Sequence, residues 1–147
     1  MMSSKRLENL ARAGNLKKEP GGQKEFDGLV RSGRTRLADA RKTSLAIESR
    51  FDLAYNASHA LALAALRWHG YRSENRYLVF QCLGDTLGLG PEHWRVLALC
   101  HDRRNRAEYE GQLEVNEQLI IDLIRVAELM LGKLTVLGKV SGRDEEE

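Results

Sequence analysis

Segments in which β-branched and polar residues alternate are almost missing from this chain, so it has little from which to build a half-buried strand. Proline, the other barrier to helix, occurs only at Pro20 and Pro91. Apolar residues recur instead three and four positions apart, the period of an amphipathic helix. An all-α fold follows. Glycine supplies its punctuation. A short first helix is expected around Ser4–Ala13, with Leu7, Leu10 and Ala11 on one face and Gly14 behind it. Glu19-Pro20-Gly21-Gly22 then reads as a loop. A second helix, Gln23–Lys42, carries Phe26, Leu29, Val30, Leu37 and Ala40, with Gly33 as its weak point. A third, Ser44–His69, is dense in alanine and leucine and stops at Gly70. A fourth spans Asn75–Leu87, with Gly84, Gly88 and Gly90 at its exit. Pro91 suits the first position of a fifth, which ends near Gly111, and a sixth covers Val115–Leu137. Connections this short favour antiparallel neighbours, hence an antiparallel helical bundle of about five main helices plus the short N-terminal one.

A chain of 147 residues suits one domain with a real core. The expected division is a short helix and loop over 1–22, the bundle over 23–138, and an acidic flexible tail over 139–147. The 23 basic and 21 acidic residues nearly cancel, so no global field drives binding to nucleic acid or membrane, and any basic patch must be local. Two cysteines, Cys82 and Cys100, make no disulfide framework and suit a reducing compartment. With no signal-like N-terminal stretch and no run approaching ~20 apolar residues, a cytoplasmic location is expected.

The fifth and sixth helices carry the unusual features. The inward stripe of the fifth begins with Trp94, Leu97 and Ala98. At about 100° per residue it continues into His101, Arg104, Asn105, Glu108 and Tyr109. Such a face either leaves the core for a cleft or is satisfied internally. The third helix repeats the pattern, with Asp52, Tyr55, Asn56 and His59 spaced i, i+3, i+4, i+7 on one face. Should the two polar faces meet, His59, Asn56, Arg104, Asn105 and Tyr109 form a cluster; a hydrogen-bonded network fixing helix register is the alternative. The sixth helix, from Leu119 to Leu137, is apolar over more than one stripe. It is either central in the bundle or keeps a second face for another subunit.

An alanine-rich helix bearing Arg50-Phe51-Asp52-Leu53-Ala54-Tyr55-Asn56-Ala57-Ser58-His59-Ala60 precedes one bearing Arg104-Asn105-Arg106-Ala107-Glu108-Tyr109, and a final apolar helix follows. This combination, from about Glu25 to Gly138, resembles a HEPN domain (higher eukaryotes and prokaryotes nucleotide-binding). The resemblance implies a small helical bundle that commonly dimerises. The family's ribonuclease motif is an arginine, usually followed by a polar residue such as asparagine, then a histidine after four to six residues. Arg104 and Asn105 match its start, and Tyr109 stands in the histidine's place. Metal-independent RNA cleavage needs a base for the 2′-hydroxyl and a cation for the developing phosphorane charge. A histidine of ordinary pKa ~6.5 exchanges protons near neutrality, whereas a tyrosine at ~10 serves better as a hydrogen-bond donor. Arg104 suits a phosphate.

The resemblance therefore implies an RNA- or nucleotide-binding protein of toxin or defence type with reduced or absent ribonuclease activity. Binding would fall to Arg104, Asn105, Tyr109, Asn56, Tyr55 and Asp52. Two alternatives stay open. One is an active metal-independent endoribonuclease using Arg104 with His101 or His59; the other is a non-catalytic protein-interaction subunit. Family members often partner a nucleotidyltransferase, so such a partner is expected beside the homodimer. No cofactor or metal is expected: Cys82, His93, Cys100 and His101 lack paired zinc-ligand spacing, and no Gly-Lys-Ser/Thr follows the glycines at 84–90. Arg31, Arg34, Arg41 and Lys42 fall within about a 100° arc of the second helix if it is continuous. They make either a phosphate-binding stripe or a solvated face. His69 beside Gly70 reads as a favourable cation at a helix C-terminus.

Overall fold

The computed structural model describes residues 4–140. The chain is an all-α helical bundle with a short N-terminal helix. Its helices are α1 (Lys5–Arg12), α2 (Gln23–Ala40), α3 (Ile47–Trp68), α4 (Arg76–Gln81), α5 (Leu83–Thr86), α6 (Pro91–Glu110) and α7 (Glu117–Thr135). Residues 141–147 of the expected acidic tail lie outside the described residues.

Local chemistry sets most helix ends. Ser4, Asn75 and Asn116 each accept a backbone N–H of the first turn they precede, at Leu7, Leu78 and Leu119. Pro91 occupies the first turn of α6, and Gly111 ends that helix in the left-handed region at φ 70°, a conformation that costs glycine nothing. Three expectations shift. The loop between α2 and α3 is longer than expected, because α2 stops at Ala40 and α3 starts at Ile47. The expected fourth helix is two, with Cys82 as C-cap of α4 and N-cap of α5. A two-residue antiparallel ladder, β1 (Lys17–Lys18) with β2 (Tyr71–Arg72), was not legible at all.

Helix α3 is the axis: α2, α7, α4, α5 and β2 all pack on it. Its alanines at 54, 57, 62, 64 and 65 are buried and let neighbours approach. On the other side of that contact stands Gly33. A Cβ there would lie 2.5 Å from Leu61 Cδ2 and 2.6 Å from its Cγ, so the apparent weak point of α2 is a site of close approach. Gly33→Leu should cost about 2 kcal/mol by overpacking, measured by urea unfolding. Helix α7 buries Leu119, Ile120, Leu123, Ile124, Val126, Ala127, Met130 and Leu134, with Leu129 and Leu131 packed at the core's edge. Packing on α3, α2 and α6 accounts for this breadth as far as Leu134, while Val136 is exposed.

Two buried arginines tie the bundle together. Arg50 donates to the Ala40 carbonyl (2.9 Å) and with one nitrogen to both Glu117 oxygens (2.9 and 2.7 Å), joining the ends of α2, α3 and α7. Arg67 donates to the Glu19, Pro20 and Tyr71 carbonyls (2.8, 3.1 and 3.2 Å) and to Glu25 (3.0 Å). Arg72 reaches Glu19 and Glu25 from the ladder, and with Lys17 it holds the Glu19 carboxyl below its usual range. The N-terminal segment is thus fastened to the C-terminal end of α3.

Candidate functional site

The polar faces of α3 and α6 meet around one side chain, Tyr55. Its ring is 1% exposed, lying 6.1 Å from Phe51 and 5.7 Å, edge on, from Phe80. The hydroxyl is 2.9 Å from His101 Nδ1. Asn105, one turn further along α6, donates from Nδ2 to His101 Nε2 at 3.1 Å. With Nε2 accepting, Nδ1 carries the proton and donates to the Tyr55 oxygen. The imidazole is neutral and held at both ends.

Two guanidinium groups face the same phenol. Arg104 Cζ is 5.1 Å from the Tyr55 ring centroid and Arg76 Cζ is 5.7 Å from it, both within cation–π range. Arg104 meets Glu108 at 3.5 Å, one turn on. Arg76 pairs with no carboxylate among the described residues; it donates to Asn56 Oδ1 at 3.0 Å. Asn56 in turn donates to the Asp52 carbonyl at 2.9 Å. The cluster is therefore cationic, and burial and this charge act on its histidines in the same direction. His59, edge on to Phe80 at 6.1 Å, is pushed down to about 4 by burial and then by Arg76 and Arg104. His101 is lowered by the same causes. Burial raises the Tyr55 phenol. His59 Nε2 is buried and has no hydrogen-bond partner.

Tyr55, Asn56, His59, His101, Arg104 and Asn105 are thus brought together, as the spacing on the two helices suggests. Asp52 joins only through its carbonyl; it is exposed beside a cavity of about 640 Å³ shared with Glu48, Phe51, Arg104 and Glu108. Tyr109 does not join the cluster. It is 90% exposed, because the last turn of α6 runs on past the core and residues 108–111 are all exposed. Helix α4, which packs on both α3 and α6, supplies what the sequence did not reveal: Arg76, Tyr77 and Phe80. Their only advance sign was the placement of Arg76 and Phe80 four apart on a short helix.

Other candidates disperse. The arc of four basic residues is broken. Arg41 pairs with Glu128 (2.6 Å), Lys42 lies beyond the end of α2 beside Asp39 (3.0 Å), and Arg31 and Arg34 flank a separate cavity with Phe26 and Lys139. His69 is no helix-end cation: burial lowers its pKa, and its Nε2 lies 3.1 Å from the Thr86 carbonyl. Among the described residues no three His, Cys, Asp or Glu side chains gather closely enough for a metal ion. Burial pushes the Cys82 and Cys100 thiols up to about 11 and about 12, leaving them un-ionised.

Compared with known proteins, the chain matches no family model, no curated protein and no solved structure.

Proposed function

We propose that the protein binds RNA or a nucleotide at this crevice, with Arg76 and Arg104 gripping phosphate, and that it does so without cutting. The observation that carries this reading is the pair of guanidiniums set against Tyr55, beside two imidazoles whose pKa burial lowers first and these cations second. Two preset forks of this kind suit phosphate oxygens, which they can bind in bidentate fashion. Binding is favoured over cleavage by the state of His101, both of whose ring nitrogens are engaged; acting as a base would first break one of those bonds. The homodimer and the nucleotidyltransferase partner belong to this reading through the sequence resemblance alone.

Titration with a labelled RNA oligonucleotide at two salt concentrations tests it. Arg104→Ala and Arg76→Ala should each weaken binding about tenfold and flatten the salt dependence by about one phosphate contact. RNA incubated with the protein in chelator should stay intact. Undetectable binding, or binding indifferent to both substitutions, removes the proposal.

A further inference from the structure

Away from the cationic cluster, α2 and the end of α7 enclose a groove of about 480 Å³. Its floor is apolar, formed by Phe26, Val30, Leu134 and Leu137. Its rim is basic. Arg31, Arg34 and Lys139 are all exposed, and among the described residues none of the three meets a carboxylate, unlike Arg41 and Lys42 nearby. The one carboxylate among the described lining residues, Asp27, accepts a hydrogen bond from Gln23 at 2.9 Å. The chain itself passes along this groove. After α7, Trp68 Nε1 donates to the Gly138 carbonyl (3.0 Å), and the N–H of buried Val140 donates to Gln23 Oε1 (2.7 Å). Val140 is thereby pinned at the first turn of α2. Residues 141–147, which follow it, read Ser-Gly-Arg-Asp-Glu-Glu-Glu.

We propose that this groove is the docking site of the chain's own acidic segment, with the carboxylates of Asp144, Glu145, Glu146 and Glu147 on Arg31 and Arg34. Reach and charge order both argue for it. At about 1.5 Å per residue, Asp27, Arg31 and Arg34 lie about 6, 12 and 16 Å along α2 from Gln23. An extended chain leaving Val140 brings residue 143 to about 10 Å and residues 144–147 to about 13–23 Å. The segment's single cation, Arg143, would therefore arrive near the groove's anion, and its acids beside the two arginines. Each exposed pair is weak alone. So short a connection, however, sets an effective concentration of millimolar order, which favours this segment over an acidic partner arriving from solution. Seated there, it closes the basic face of α2 to other anions. The inference is independent of the phosphate-binding reading, since neither Arg76 nor Arg104 lines the groove.

NMR on the full chain tests this. At ~10 mM salt the heteronuclear NOEs of the amide nitrogens of residues 144–147 should be high, and they should fall at ~1 M salt, where charges are screened within a few ångströms. They should fall equally in Arg31→Gln/Arg34→Gln, a pair of exposed substitutions that leaves the core untouched. Neutralising the segment instead, with Asp144→Asn, Glu145→Gln, Glu146→Gln and Glu147→Gln together, should shift the Nε–H signals of Arg31 and Arg34. A synthetic peptide of residues 139–147, added in trans, should bind this neutralised protein about tenfold more tightly than the unaltered one, whose own segment occupies the groove. NOEs at 144–147 that ignore both salt and the arginine substitutions overturn the proposal. Equal peptide affinity for the two proteins also overturns it, by showing a groove open to acidic partners from solution. So does an NOE that rises only with protein concentration, which assigns the groove to the segment of a second copy.

Discussion

Arg67→Met is expected to lower the unfolding free energy by about 3 kcal/mol or more, and the midpoint of thermal melting by about 10 °C. Arg67 is 2% exposed, and its guanidinium binds three carbonyls and a carboxylate at once. Methionine fills much of the volume but donates nothing. The Glu19, Pro20 and Tyr71 carbonyls then lose their partner; that of Tyr71 is buried and that of Glu19 half-buried, and a stranded buried acceptor costs about 1–3 kcal/mol. The loop has no room to rearrange around the loss: a Cβ on Gly21 would already sit 2.5 Å from the Arg67 carbonyl oxygen. Lysine should not rescue the variant, because a single ammonium cannot span acceptors that diverge from a planar fork. Urea unfolding of both variants, with amide exchange at Glu19, whose N–H donates to Gly70 O, reports the effect. A loss below about 1 kcal/mol would show the network to be dispensable.

Acidification from pH 7 to 4 is expected to destabilise the fold, His59 alone contributing about 3 kcal/mol. In the native bundle its pKa is pushed down to about 4, by burial first and by Arg76 and Arg104 after it. In the unfolded chain it takes up its proton near the ordinary value of 6.5. Between those two values the unfolded state holds more protons, so falling pH draws the equilibrium toward it. The full contribution is present above pH 6.5 and is lost progressively as pH falls to about 4. His101 and His69, both lowered, act in the same direction. His59→Leu should flatten this slope whatever it does to stability at neutral pH. Denaturant midpoints at four or five pH values give the comparison, and parallel profiles for the two proteins would refute the assignment.

What the sequence disclosed was local in origin. The proline of α6, the glycine that ends it and the apolar stripes of α2 and α7 act within a turn or two, so local pattern exposes them. The meeting of α3 with α6 was legible because Tyr55, Asn56, His59, His101, Arg104 and Asn105 each lie on a polar continuation of a buried face. The β1–β2 ladder was not, since two residues per strand leave no pattern and their pairing leans on Arg72 and Glu19, which are far apart in the chain. Arg76 escaped for a similar reason: its contacts, to Asn56 and the Tyr55 ring, cross about twenty residues. Tyr109 shows the opposite limit. Angular bookkeeping gives the direction of a side chain but not whether any neighbour extends far enough to receive it.

Tyr55 plugs the middle of the bundle and, with the same ring, underlies two arginines and a histidine. Adaptation at this position is consequently hobbled. A lineage that retuned the cluster by replacing the phenol would open a hole between Phe51 and Phe80, and one that repacked the interior would disturb the seating of the two arginines. Only Phe separates the two demands, keeping the plug and discarding the hydroxyl, so drift here should be confined to that one exchange.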